Sequence, residues 1–150
     1  MTRQLTIVWP DPKAFEGRGG APIRLLAVSD DVDPALDYAI NRDKIGRVDA
    51  IVGAGDLEPS YLAFLGDAFC TQVAYIRGNH DRGGHWMETL VDAPQPLSSG
   101  QLVEVAGITV APFEWPALRQ DRATRNESRA WLEVLWISRS LLVRRLRGRR

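Results

Sequence analysis

Three short apolar runs, each closed by a polar cluster, constrain this chain more than any other feature. They are Leu25-Leu26-Ala27-Val28 before Ser29-Asp30, residues 50–54 before Gly55-Asp56, and residues 73–76 shortly before Gly78-Asn79-His80-Asp81. Continuous runs of this length fit strands buried on both faces. Helical patterns lie between them. Asp33-Pro34 reads as an N-cap and first helical position, followed by Leu36, Ala39 and Ile40 on one face and a stop at Gly46. Pro59 opens a second helix carrying Leu62, Leu65 and Phe69. Strand, helix, strand, helix, strand predicts parallel strands joined by crossovers. All three polar clusters then fall at the carboxyl ends of the strands, where open α/β sheets bind ligands.

The second half follows other rules. A long loop over residues 81–100 leads to two apolar stretches, 102–105 and 108–111, around Ala106-Gly107, which predicts an antiparallel hairpin. Thr124-Arg125-Asn126-Glu127 has the form of a capping box. It would open a helix with Trp131, Leu135 and Leu142 on its inner face and Arg129, Glu133 and Arg147 outside. Part of that helix's apolar surface is expected to stay exposed. Residues 1–23 form a lead-in with a flexible Gly-rich stretch at 17–20, and residues 5–9 suggest an edge strand.

Composition narrows the classes. A chain of 150 residues is about one domain long. The single cysteine, Cys70, rules out an internal disulfide framework and suits a reducing compartment. The N-terminus has no apolar core of a signal peptide, and no stretch is long and apolar enough for a membrane span. The expected location is the cytoplasm, with no membrane partner. Residues 1–118 hold 9 Lys/Arg against 16 Asp/Glu, and residues 119–150 hold 10 Arg against 3 acids. The Arg-rich end is expected to be a solvated helix face favoured by the helix dipole, and nucleic-acid binding is disfavoured.

Oxygen donors on three neighbouring strand ends suit a hard cation. Asp30 and Asp56 offer carboxylates and Asn79 an amide oxygen, a set matched to Mn²⁺, Mg²⁺ or iron. Two such ions could clamp a phosphate and activate water, with His80 facing the phosphate as proton donor or charge stabiliser. Structural alternatives stand beside this. Asp30 also reads as a helix N-cap, Gly55-Asp56 as a turn dipeptide, and Asn79 and Asp81 as turn residues. His85, the other histidine, sits in a Gly-rich loop and reads as an exposed loop residue.

Taken in order, "LLAVSDDVDPAL", "AIVGAGDLEP" and "VAYIRGNHDRGG" resemble the first three motifs of the calcineurin-like metallophosphoesterases. "GITVAPFEWP" lies where that family has a central sheet strand, so the resemblance spans roughly residues 24–148. It implies an α/β fold (α+β in some schemes), a four-layer α/β/β/α sandwich, C-terminally incomplete, occupying residues 24–150. By the same resemblance Asp30 binds one metal, Asp56 bridges two, Asn79 binds the second, and His80 contacts the substrate phosphate with Asp81 orienting it. The implied activity is hydrolysis of a phosphate mono- or diester by a metal-bound hydroxide. Manganese is the expected ion, with iron, Mg²⁺ or Zn²⁺ as alternatives.

Two departures qualify the match. Val32 stands where the first motif has a histidine ligand, and the family's late histidine and Gly-His-x-His have no counterpart here. The chain therefore offers three matched ligands, too few for two ions. The expectation is a phosphoesterase whose site needs a further segment or a partner chain. The alternative is a catalytically inactive, metallophosphoesterase-like binding module.

Overall fold

The structure, a computed structural model, describes residues 4–9, 12–78, 81, 94–113 and 127–147. Its centre is a parallel sheet of β1 (Leu25–Val28), β2 (Ala50–Gly53) and β3 (Val73–Tyr75), in the order β1-β2-β3. Leu25 pairs with Ala50, and Ile51 with Val73. β2 is the middle strand, and Ala50 and Ile51 have no exposed surface. β1 lies at the sheet edge and is not buried on both faces as its apolar run implies, since Leu25 and Ala27 are exposed.

Alternation along the strands sorts two cores. Ile51 and Tyr75 face one side, packed with Leu57, Tyr61, Leu62 and Leu65. The last three come from α2 (Pro59–Phe69), which starts with Pro in its first turn and ends on Cys70 in the left-handed region. Leu36 and Val48 complete this core. Ala50 and Ala74 face the other side against Val105. Their small side chains leave room for the hairpin of β4 (Val103–Val105) and β5 (Ile108–Val110) to lie over the sheet. Ala106 and Gly107 both have positive φ, 51° and 83°, as a two-residue turn of primed type requires.

The connection after β1 is tighter than the periodicity predicts. Asp33 does act as an N-cap, its Oδ1 accepting from the Ala35 N–H at 2.9 Å. It caps a short 3-10 turn, Pro34–Asp37, and α1 (Ala39–Ile45) begins only after Tyr38 returns to extended backbone. Gly46 ends α1 at φ 71°. The hairpin is antiparallel, as its sequence implies.

One expectation fails near the N-terminus. Residues 5–9 are not in a strand, and Leu5, Ile7 and Val8 are exposed. The glycine-rich stretch is tied down at one point. Arg18 Nη2 reaches Asp49 Oδ2 at 2.7 Å, and the same carboxylate accepts from the Arg24 N–H at 2.8 Å. Burial raises the Asp49 pKa, but the Arg18 hydrogen bond, the Arg24 N–H and the charges of Arg18 and Arg47 together bring it below its ordinary value.

The long helix α3 (Glu127–Arg147) is turned opposite to expectation. Trp131, Leu135 and Leu142 point outward and are more than half exposed. Ala130 and Ile137 face inward, with Ile137 touching the Gly100 region and 6% exposed. Glu133, expected outside, is half-buried and accepts from Ser99 Oγ at 2.6 Å. The reason is that α3 carries two apolar stripes. Ala130, Val134, Ile137 and Leu141 follow helical spacing as well as the larger set does. The slimmer stripe fits against residues 98–104. Arg147 is exposed as expected, while the Arg129 side chain and residues 124–126 lie outside the described residues.

Candidate functional site

Asp30 and Asp56 occupy the loops directly after β1 and β2. Strand pairing carries on into these loops. The Ala54 N–H donates to the Val28 carbonyl at 2.8 Å, and the Asp30 N–H donates to the Gly55 carbonyl at 3.2 Å. The two acidic loops are therefore bonded side by side at the carboxyl edge of the sheet.

Both aspartates take left-handed backbone, with φ 63° at Asp30 and 59° at Asp56. Only two other described non-glycine residues have positive φ. Cys70 ends α2 and Ala106 makes the hairpin turn, so local geometry explains each. Asp30 and Asp56 end no helix and make no hairpin. Such residues are held at a cost of about 1 kcal/mol or more, and they concentrate at functional sites.

Asp81 joins the second and third loops. It is 8% exposed, and its Oδ2 accepts from the N–H groups of Asp56 and Gly78, each at 2.8 Å. One carboxylate thus fixes the backbone of the residue at the end of each loop. Its Oδ1 is buried with no hydrogen-bond partner among the described residues. Tyr75 lies nearby on β3; burial pushes its phenol above the ordinary value, Arg77 offsets this in part and the charge of Asp81 adds to it. The phenol therefore stays protonated.

Glycines make the close approach possible. A Cβ on Gly78 would run into the Asp56 carboxyl group and lie 2.6 Å from the Asp56 nitrogen. A Cβ on Gly55 would lie 2.7 Å from Gly78 Cα, and Gly55 has φ 104°. The Asp56 carboxyl group therefore sits directly over the Gly78 backbone, beside the start of the third cluster.

The structure brings Asp30, Asp56 and Asp81 to one edge of the sheet. Asn79, His80 and His85 lie outside the described residues. Val32 is 48% exposed in the loop after Asp30, and Asp33 is occupied as a cap. Among the described residues no group of three or more His, Cys, Asp or Glu side chains could hold a metal ion. Asp30 and Asp56 fit a hard cation in donor chemistry, but they make a site only with donors beyond that set. Sequence reasoning missed the Asp81 clip. Its signal is an acid three residues after a glycine, a spacing at which a carboxylate can turn back onto the backbone N–H.

No protein-family model, curated protein or solved structure matches this chain.

Proposed function

We propose that the chain is a metal-dependent phosphoesterase whose chemistry is built at the carboxyl ends of β1, β2 and β3. The observation that carries this reading is the pair Asp30 and Asp56. Both are non-glycine residues in left-handed backbone, on loops bonded through the Asp30 N–H and the Gly55 carbonyl. Left-handed backbone at two neighbouring acids, with no cap or hairpin to explain it, supports the reading of a site.

Asp30, Asp56 and Asn79 would hold the cation, and by the family resemblance Asp56 would serve a second. When bound, the metal would supply positive charge to bind the phosphate and activate water. The residues of the chain do the rest. Asp81 fixes the Asp56 and Gly78 backbone, so the donor at the end of β2 keeps its aim without reorganising. His80, next in sequence to Asn79, would contact the phosphate and donate a proton to the leaving oxygen. The helix layer on one face of the sheet and the hairpin on the other support a partial α/β/β/α sandwich, the architecture we infer for residues 24–150.

Hydrolysis of a chromogenic phosphodiester with Mn²⁺ tests the reading, comparing wild type with Asp56→Ala and His80→Ala. Weak turnover is expected from the chain, because three ligands leave the site short of donors. Asp56→Ala should abolish it, while His80→Ala should lower turnover and spare metal binding. Robust turnover that survives Asp56→Ala would refute the assignment. A second reading, a non-catalytic binding module, is favoured by exposed Val32 at the position of a motif histidine. Metal binding with no turnover for any phosphate ester would select it.

A further inference from the structure

Helix α3 presents an apolar side to solvent, and what surrounds that side identifies its partner. At 3.6 residues per turn, Leu132, Leu135, Trp136, Leu142 and Leu146 lie on one half of the helix, opposite the packed Ala130 and Ile137. All five are more than half exposed, with Leu135 at 64% and Trp136 at 62%. Isolated exposed leucines are ordinary, whereas a continuous stripe of them marks an interaction surface.

Charge decides among the possible occupants. Arg139 falls within the apolar half, between Leu135 and Leu142 in helical position. Arg147 flanks the same half, whereas Arg144 lies on the side of the packed Ile137, towards Glu104. Beside α3 runs an open groove of about 530 Å³ lined by Leu102, Trp136, Val143, Arg139, Arg144 and Arg147. Arg144 reaches Glu104 only at 4.0 Å, and no ion pair engages Arg139 or Arg147 among the described residues.

A second copy of the chain on this face would bring two Arg139 side chains into a buried apolar contact, an expensive arrangement. An oligonucleotide would use the arginines and leave the leucines in water. A bilayer surface accommodates both. Leucine and tryptophan enter the acyl boundary while arginines extend to the headgroup phosphates.

We propose that α3 is an in-plane docking helix for anionic lipid bilayers, with the leucine stripe inserted and Arg139 and Arg147 bound to lipid phosphates. No described helix is long and apolar enough to cross a membrane, so the attachment is peripheral. The docking surface is a property of α3 and does not depend on the strand-end chemistry.

The test is co-sedimentation of the full chain with vesicles of phosphatidylcholine alone or of phosphatidylcholine with phosphatidylserine, at low and high salt. Binding is expected only to the anionic vesicles and should weaken with salt. Replacing Arg139 and Arg147 together by glutamine should reduce it on the order of 30-fold, about fivefold for each. Leu135→Ser with Trp136→Ser should abolish binding while far-ultraviolet circular dichroism stays unchanged, because both residues are exposed. Three results would each overturn the proposal: equal binding to both vesicle types, no binding to either, or a dimer that Leu135→Ser dissociates while vesicles are ignored. Capture of a single-stranded oligonucleotide, lost with the arginines and accompanied by no vesicle binding, would overturn it as well.

Discussion

Replacing Asp81 by alanine should remove more stability than its small contact area suggests. Its Oδ2 is the acceptor for two backbone donors, the Asp56 and Gly78 N–H groups, both at 2.8 Å. At 8% exposure the carboxyl group lies where water enters poorly. Each donor left without a partner costs about 1–3 kcal/mol, and water entering the vacated space recovers part of that. The expected loss is about 2–4 kcal/mol, a large share of the 5–15 kcal/mol typical of a domain. Asp81→Asn provides the control. Its amide oxygen can still accept both hydrogen bonds and loses only the charge assistance, so about 1 kcal/mol should disappear. Urea denaturation followed by tryptophan fluorescence and circular dichroism separates the cases, provided the m value is unchanged. A loss under about 0.5 kcal/mol for Asp81→Ala would refute the clip. Equal damage from both variants would show that the hydrogen bonds are not what Asp81 contributes.

Other consequences follow from the same geometry. Gly78→Ala should disturb Asp56 directly, because the new Cβ would overlap the Asp56 carboxyl group; an overpacked site of this kind loses about 1–3 kcal/mol, and an unchanged melting temperature would contradict it. Asp49 has a folded pKa below its unfolded value, so its contribution is complete above the unfolded pKa, about 4, and is lost as pH falls through the folded pKa. Wild type should therefore lose stability faster than Asp49→Asn on acidification below about pH 4, and parallel pH profiles would contradict the Arg18–Asp49 anchor.

The parallel core was legible in the sequence because its signals are local. Leu25-Leu26-Ala27-Val28 is an apolar run with an acid behind it, and the structure makes it β1, although as an edge strand with Leu25 and Ala27 exposed rather than buried on both faces. Leu62 and Leu65 mark the inner face of α2 by spacing alone. The orientation of α3 was not legible. Two stripes satisfy the helical period, and the choice depends on how little room residues 98–104 leave, which no local pattern records. The edge strand expected at residues 5–9 does not form, although β1 and β3 each keep an outer edge with no strand paired to it among the described residues, and nothing in the structure explains this. Within the site, the order of the acidic clusters was readable. The left-handed backbone of Asp30 and Asp56 and the Asp81 clip were not, because both arise from loops far apart in sequence meeting at one sheet edge.

Mn²⁺ binding by the full chain, followed by electron paramagnetic resonance, tests the central claim most directly. Asp30 and Asp56 are proposed to share a cation at the sheet edge, with Asp56 the donor on which binding depends. Wild type should bind Mn²⁺ weakly, Asp56→Ala should leave only the free-ion signal, and His80→Ala should titrate like wild type. Identical titrations for wild type and Asp56→Ala, or no binding by wild type, would contradict the metal site and with it the phosphoesterase reading.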